Sequence, residues 1–522
     1  MNCSRFAAAG FAAVAMGVAL PSVASAADYC VAPNYDCGAN NFQKLQDALD
    51  QAASTQEADR VLLGGGTYVP APGKGPFSYT KGGVPVEIIG AGRGRTVLTA
   101  PDGSLNQVLA LKAGSESSVR DLTVRIPAQA GNGFRGLLTD GAARRIEVVE
   151  ADGQVASRSG VLLEQDGTLE DSTVTLSAEA DTIGVTALNP VLDRMISLRA
   201  VAITARTGVQ SHGHMTMDRS RVTGGEVGVL VDAMDATIRN SLVRQTWTFG
   251  TAIKVRTDNN YSSSLVADGL TVVGANTPDV AGVVASTSLH PDRNAEVKLT
   301  NSVIRGVATP LGAVAGGTGT AKISASFSDY DGNANVAIGP TATIDETKVT
   351  NVGDARFTDP ANGDYRLRPG SPLVDLGDPD LPQGLDLDGN PLVADGNGDG
   401  FPRRDLGAFE LHPAAPQAQP QADTQPPLIS RLRARRVDVS YKLSESARVV
   451  VKIQRRLAGK RARYRTLGKV AKPGKQGANR IKLSRRIRAK DARPGRYRAM
   501  IVATDPAGNR SATRAATFRV AR

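Results

Sequence analysis

From Val86 to about Ile304 apolar and polar residues alternate in short bursts rich in Val, Ile and Thr, separated by Gly, Asn and Asp. That is a strand pattern, and helical periodicity is absent over this stretch. Two phrases recur. Gly136-Leu-Leu-Thr, Gly160-Val-Leu-Leu, Gly184-Val-Thr-Ala and Gly208-Val-Gln-Ser begin 24 residues apart. Gly228-Val-Leu-Val follows after 20 residues, and Gly282-Val-Val-Ala comes later. Between them run Arg120-Asp-Leu-Thr-Val, Glu170-Asp-Ser-Thr-Val, Asp218-Arg-Ser-Arg-Val, Arg239-Asn-Ser-Leu-Val and Thr300-Asn-Ser-Val-Ile. A fixed period in the twenties marks a solenoid, in which each repeat buries its apolar face only against its neighbours. Strands with Gly/Asn/Asp turns at this period predict a parallel β-helix. The Leu-x-x-Leu-x-Leu frame of leucine-rich repeats does not recur.

Ahead of the coils, residues 40–53 place Phe42, Leu45, Leu49 and Ala52 on one helical face, with Asn40 or Asn41 as N-cap. Such a helix would cover the open apolar end of the solenoid. A strand, glycine turn and strand follow in Arg60-Val-Leu-Leu-Gly-Gly-Gly-Thr-Tyr-Val. At about 4.8 Å between strands, roughly nine or ten coils give a stack near 45 Å.

The capping helix, the Leu62-Leu63-Gly64-Gly65-Gly66-Thr67-Tyr68 phrase and the coils through about Ile304 resemble the pectin-lyase-like superfamily. The resemblance implies a right-handed parallel β-helix over residues 27–346. It implies little about chemistry, because lyases, hydrolases, esterases, tailspikes and non-catalytic adhesins share the architecture. Residues 347–411 resemble a choice-of-anchor Q module, through Asp354-Ala-Arg-Phe-Thr-Asp-Pro-Ala-Asn-Gly-Asp-Tyr, Asp386-Leu-Asp-Gly-Asn and Asp405-Leu-Gly-Ala-Phe-Glu. This implies an extracellular or surface protein in which the module closes the β-helix.

Residues 412–427 form a Pro/Ala/Gln linker. Beyond it, the alternating runs Val437–Leu443, Val449–Ile453, Ile481–Leu483 and Tyr497–Ala503 predict about seven short strands, a small β-sandwich over 428–522. Asp505-Pro-Ala-Gly-Asn-Arg is similar to the last hairpin of bacterial immunoglobulin-like or fibronectin-like repeats.

Charge divides the chain. The net +11 conceals 29 Lys+Arg against 5 Asp+Glu from Asp423 to Arg522, which is +24. The remainder holds 33 basic and 46 acidic residues, which is −13. A basic domain on an acidic body points to an anionic envelope polymer or polysaccharide as partner, with non-specific nucleic acid as a second polyanion. No base-reading motif is present. Arg5, the apolar run Phe6–Leu20 and Ala24-Ser25-Ala26 read as a signal peptide over 1–26, which places the protein outside the cell or at the envelope. No later run is long enough to span a membrane. Cys30 and Cys37 remain in the mature chain and are expected to form a disulfide in an oxidising compartment. Oligomeric state is not encoded in any feature of the pattern.

Alignment of the glycine phrases also predicts rows of side chains. Val161, Val185, Val209, Val229 and Ile253 point inward, as do Leu163, Ala187, Ser211, Val231 and Val255. Leu162, Thr186, Gln210, Leu230 and Lys254 point outward. So do Glu164, Leu188, His212, Asp232 and Arg256. His212, Asp232 and Arg256 therefore fall on successive coils, flanked by Lys254 and Asp258. An imidazole, a carboxylate and a guanidinium together can move protons on an acidic sugar.

The segments 212–214 and 253–256 are similar to the His and Arg-Ile-Lys phrases of polygalacturonase-type hydrolases. The Asn-Thr-Asp and Asp-Asp phrases of that family are missing. An inverting glycosidase needs two facing carboxylates, and Glu164 and Asp232 would lie about 14 Å apart. Trp247 is the single tryptophan and, with Asp258, a candidate substrate contact. Asp395, Asn397 and Asp399, with glycine at the sixth position and Asp405 beyond, match the first half of a calcium loop. They are candidate ligands of a structural calcium, and no other cofactor is implied. Two functions compete: a non-catalytic polysaccharide- or surface-binding module, and a lyase or hydrolase working from the His212–Asp232–Arg256 face.

Overall fold

The computed structural model describes residues 26–31, 37–71, 74–104, 106–151, 157–189, 193–257, 261–287, 290, 292–380, 383–412, 424–435, 438–459, 462–483 and 493–521. The segment expected to be a signal peptide, all but Ala26, and most of the expected linker lie outside them. The chain forms two compact units, Met1–Pro413 and Ala414–Arg522.

In the first unit thirty strands join into one sheet that winds as a parallel β-helix. Each full coil contributes a strand to each of three faces. The first face stacks Phe77–Tyr79, Gln107–Leu111, Phe134–Thr139, Arg158–Glu164, Thr182–Leu188 and their successors through Thr309–Val314. The second runs from Asp28–Val31 to Ala342–Thr347. The third includes Thr123–Ile126, Glu147–Glu150 and Thr173–Thr175. The second face holds thirteen strands, so the stack is nearer 58 Å than 45 Å at about 4.8 Å per step. The expectation of nine or ten coils undercounted because the first and last coils lack the glycine phrase.

The predicted register is observed. Val161 pairs with Val185, Val185 with Val209, Val209 with Val229 and Val229 with Ile253, all fully buried. The glycine that opens each phrase has a steric cause. A Cβ on Gly160 would lie 2.5 Å from Val174 Cγ1 and 2.6 Å from the Gly184 carbonyl of the next coil. The corner is too tight for any side chain, so glycine repeats with the coil.

The second phrase marks the corner between the second and third faces. Asp171, Arg219, Asn240, Asn301 and Phe327 turn it at positive φ. The buried serine that follows, as in Ser241, Ser302 and Ser328, donates its hydroxyl to the carbonyl two residues back and accepts an amide from the preceding coil. Each serine thus satisfies backbone groups that a corner would otherwise leave buried and unpaired.

Two details depart from expectation. The helix spans Leu45–Ser54, burying Leu45, Ala48, Leu49 and Ala52, and Lys44 stands at its N-cap without a side-chain bond. Asn41 is unavailable as a cap because its side chain accepts from Cys37 N and donates to Gly38 O, closing the turn after the Cys30–Cys37 disulfide. Phe42 pairs instead with Val31 in a short parallel strand. The module at 354–411 also does not close the end of the solenoid. Phe357, Tyr365, Leu373, Leu406 and Phe409 pack with Leu242, Val273 and Val303, outward residues of the third face. Arg404 binds Asp268 and Asn240, and Gly407 and Asp378 donate to Asn301. The module therefore lies along the flank of the coils. Among the described residues, none of the helices is long and apolar enough to cross a membrane.

The second unit contains two antiparallel sheets sharing one core. Strands Ile429–Ala434, Asp438–Leu443 and Gly477–Lys482 form one sheet; Tyr464–Gly474, Ala447–Arg456, Gly495–Thr504 and Arg514–Val520 form the other. Val439, Tyr441, Val449, Val451, Ile453, Tyr497, Ala499 and Ile501 fill the space between them.

Candidate functional site

His212 ends the strand Ala202–His212, Arg256 ends Phe249–Arg256, and Asp232 lies within the long strand Arg221–Gln245, so the three stand on successive coils of the first face. The inward partners Ser211, Val231 and Val255 are fully buried and hold the ends in place. Past Val231 the register slips, and His212 pairs with Ala233 instead of Asp232. This bulge leaves Asp232 outside the ladder and aims its carboxylate along the face. Met234, at positive φ, then turns the corner.

Arg256 clamps the Asp232 carboxylate with both arms of its guanidinium, Nε to Oδ1 at 2.5 Å and a terminal nitrogen to Oδ2 at 2.6 Å. The same bonds hold the Arg256 pKa above its usual value. The Asp232 side chain is 8% exposed, and His212 Nδ1 stands 3.7 Å from its Oδ2, past hydrogen-bond distance. The three residues do come together. Their arrangement is a clamped ion pair with an imidazole beside it. With both carboxylate oxygens held by one guanidinium, the pair has the geometry of a structural clamp. The other acid of the same outer row, Glu164, pairs with Lys112 at 2.8 Å.

Of the remaining candidates, Trp247 does not reach this end of the face. Lys254 is half-buried in the outer row beside Leu230 and Val284, and has no ion pair among the described residues. Asp258 lies outside the described residues. Trp247 sits before the opposite end of the strand Phe249–Arg256, which spans roughly 23 Å at about 3.3 Å per residue. Its ring lies edge-on to Phe249 at 5.2 Å and under the Arg206 guanidinium at 5.0 Å, and Arg206 itself pairs with Glu226. Trp247 therefore cannot share a sugar unit with Arg256.

The calcium loop is also committed elsewhere. Asp395 accepts from Gly398 and Gly400 amides, Asn397 from Asp399 and Asp399 from Phe401. Asp405 turns inward, accepting from the Asp375 and Leu411 amides. Among the described residues no group of three or more His, Cys, Asp or Glu is placed to hold a metal.

Two features escaped the sequence reading. His214 stands 3.6 Å from Asp235, which also accepts from Ser264, so a second imidazole–carboxylate pair adjoins the first at the corner. Asp375, Asp386, Asp405 and Glu410 are buried together in the flanking module, bonded largely to backbone amides. Burial raises Asp405 to about 7 and Glu410 to about 9. The repeated Asp-x-Asp-Gly turns hinted at the acids, but nothing local showed that they would be interior.

No family profile matches the sequence, and no curated protein does. Among solved structures the chain is similar to the pectate lyase Pel9A, with 14% identity, 74% of this chain and 97% of that chain covered, and a TM-score of 0.46. It is similar to the A-module of mannuronan C-5 epimerase AlgE4 of Azotobacter vinelandii, with 16% identity, 59% and 91% coverage and a TM-score of 0.41. A mannuronic acid specific family 6 polysaccharide lyase from human gut microbiota matches with 11% identity, 62% and 82% coverage and a TM-score of 0.37. No residue role passes from them to this chain.

Proposed function

We propose that this is a secreted, envelope-associated, non-catalytic binding protein, in which the β-helix is a scaffold and the basic sandwich domain holds an anionic polysaccharide. The observation that carries this reading is the placement of like charges in the four-stranded sheet. Exposed Lys452 lies opposite exposed Lys469, and exposed Arg496 opposite exposed Arg519. Like charges facing each other across strands destabilise a sheet, so such pairs are economical only where an outside anion neutralises them. Four acids cannot neutralise the 29 bases of residues 428–522. Among its described residues the ion pair found is Arg480–Asp438.

The Cys30–Cys37 disulfide and the leader-like start support an oxidising destination. The clamped Asp232 supports a non-catalytic reading of the first face. The module at 347–411, by its likeness to choice-of-anchor Q, fits surface display. The test is incubation of the full mature chain with a polyuronate and a neutral polysaccharide, followed by assays of retention, reducing ends and unsaturated products. Retention by the polyuronate alone, with neither product, is expected. Product formation that disappears in Asp232→Ala would establish the lyase or hydrolase instead. Equal retention by the neutral polymer would remove the electrostatic basis.

A further inference from the structure

A groove of about 590 Å³ runs between the third face of the β-helix and the flanking module. This is within the usual range for small-ligand sites. Its floor is backbone. Gly274 and Gly306 lie on adjacent coils, and a Cβ on Gly274 would collide with the Gly306 carbonyl. Phe357 and Tyr365, edge-to-face at 5.4 Å, form part of the module side.

Arg244 enters from the coils, the last residue but one of the strand Arg221–Gln245. Its guanidinium reaches the Gly363 turn, 3.8 Å from the position a Cβ would take there. Arg244 is half-buried and has no hydrogen bond or ion pair among the described residues. Arg305, which also borders the groove, is spent on Asp329. Exposed Asn276 borders the groove and has no side-chain bond among the described residues, and exposed Asp354 keeps one carboxylate oxygen free after accepting the Arg356 amide. Gln245, fully enclosed at the groove wall, donates to the Gly225 and Phe249 carbonyls and leaves its Oε1 without a partner.

A half-buried cation without an ion pair, a free carboxylate oxygen and the free Asn276 amide around one hollow ask for a ligand carrying both an anion and several hydroxyl groups. An inorganic phosphate would satisfy Arg244 and be repelled by Asp354. We infer that this groove binds an acidic saccharide, a hexuronate unit whose carboxylate pairs with Arg244 and whose hydroxyls bond Asp354 and Asn276. Arg244 and Gln245 come just before the strand Phe249–Arg256, and Arg256 ends it, so the groove adjoins the start of that strand and the His212–Asp232–Arg256 row its end; no residue of the basic domain lines it.

The full mature chain tests this with a hexuronate tetrasaccharide bearing a photoactivatable group, and with the same probe after reduction of its carboxyls to alcohols. Cross-linked peptides are mapped by mass spectrometry, and affinity is measured by titration. Labelling is expected in the peptides containing Asn276 and Asp354–Tyr365. In Arg244→Ala that labelling should fall about tenfold, the size expected for losing a charged hydrogen bond. Arg244→Lys should recover part of it, and the melting of both variants should match the parent, because Arg244 bonds nothing among the described residues. The reduced probe should fail to label the groove. Equal groove labelling by the reduced probe, or by Arg244→Ala, would overturn the site. Labelling confined to residues 428–522 would also overturn it while leaving the proposed role of the basic domain intact. Labelling of the groove alone would sustain the site and count against that role.

Discussion

The two units treat charge in opposite ways. Along the β-helix, cations face anions on neighbouring coils. Arg60 pairs with Asp28, Arg120 with Glu87, Arg145 with Asp121, Arg144 and Arg199 with Glu170, and Arg256 with Asp232. The stacking rule places residues of one row about 4.8 Å apart, so opposite signs in a row satisfy one another. In the four-stranded sheet of the sandwich domain, cross-strand neighbours such as Lys452 and Lys469 or Arg496 and Arg519 carry the same sign. Both are β-sheets with alternating faces and a dry core. The difference is that one uses charge to hold its own rungs together, and the other leaves it for something outside.

The comparison breaks most severely at the glycine corner. Gly184→Val would drive a branched side chain into Ile203 and the Gly208 carbonyl. A loss of about 3 kcal/mol from the β-helix is expected. Denaturant unfolding followed separately for the two units should show the sandwich unchanged. A coincident shift of both would mean that they are not independent.

Asp232→Ala comes next. It leaves Arg256 without its partner, and about 2 kcal/mol is expected, below the ~3–5 kcal/mol of a fully buried pair because the arginine is 30% exposed. A stability equal to the parent would show that the clamp is not structural and would reopen the case for a working carboxylate.

The flanking module gives a pH signature. Asp405 and Glu410 bind their protons more tightly folded than unfolded. Their contribution to stability is therefore full below the ordinary values of 3.8 and 4.5, and is lost as pH rises through about 7 and about 9. The urea midpoint of the first unit should fall between about pH 5 and about pH 9. A midpoint that rises over that range would contradict the interior placement of these acids.

The smallest effect is expected at an exposed rung. Arg145→Ala removes a pair whose arginine is 47% exposed, and about 0.5 kcal/mol is expected by thermal melting. A cost several times larger would show that the ladder acts as a cooperative network.

Much of the fold was legible because its steric causes are local and repeat. The glycine phrase records a corner where no Cβ fits, and the Asn-Ser phrase records a left-handed residue followed by a buried hydroxyl. Both recur with the coil, so register followed from spacing. The outer row was legible for the same reason up to Gln210 and Leu230 and the inner row up to Ser211 and Val231. The register failed one residue after Ser211 and Val231, where the bulge shifted His212 against Ala233, because a bulge depends on how the corner closes and leaves no periodic trace.

Trp247 was misplaced by proximity in sequence. The eight-residue strand Phe249–Arg256 puts it at the far end of the face from Arg256. The Asp395–Asp399 spacing is also that of carboxylates accepting the amides of their own turn. The lateral packing of the 354–411 module was invisible, since Leu242, Val273 and Val303 read as ordinary strand residues until Phe409 and Leu373 cover them. The clamp at Asp232 needed a distance, and sequence supplied only a row.

The contrast between the units is tested most directly by salt titration of the full mature chain on immobilised polyuronate, alongside the variant Lys469→Glu. In the parent, affinity should fall about tenfold or more between about 0.05 and 0.2 M salt, because screened exposed charges supply the binding. Lys469→Glu places an acid opposite Lys452, so it should bind more weakly with a shallower salt dependence while the sandwich melts no lower than the parent. Salt-independent affinity in the parent, or unchanged binding in Lys469→Glu, would contradict the account and show that the unpaired cations of the sandwich are not there for an anionic polymer.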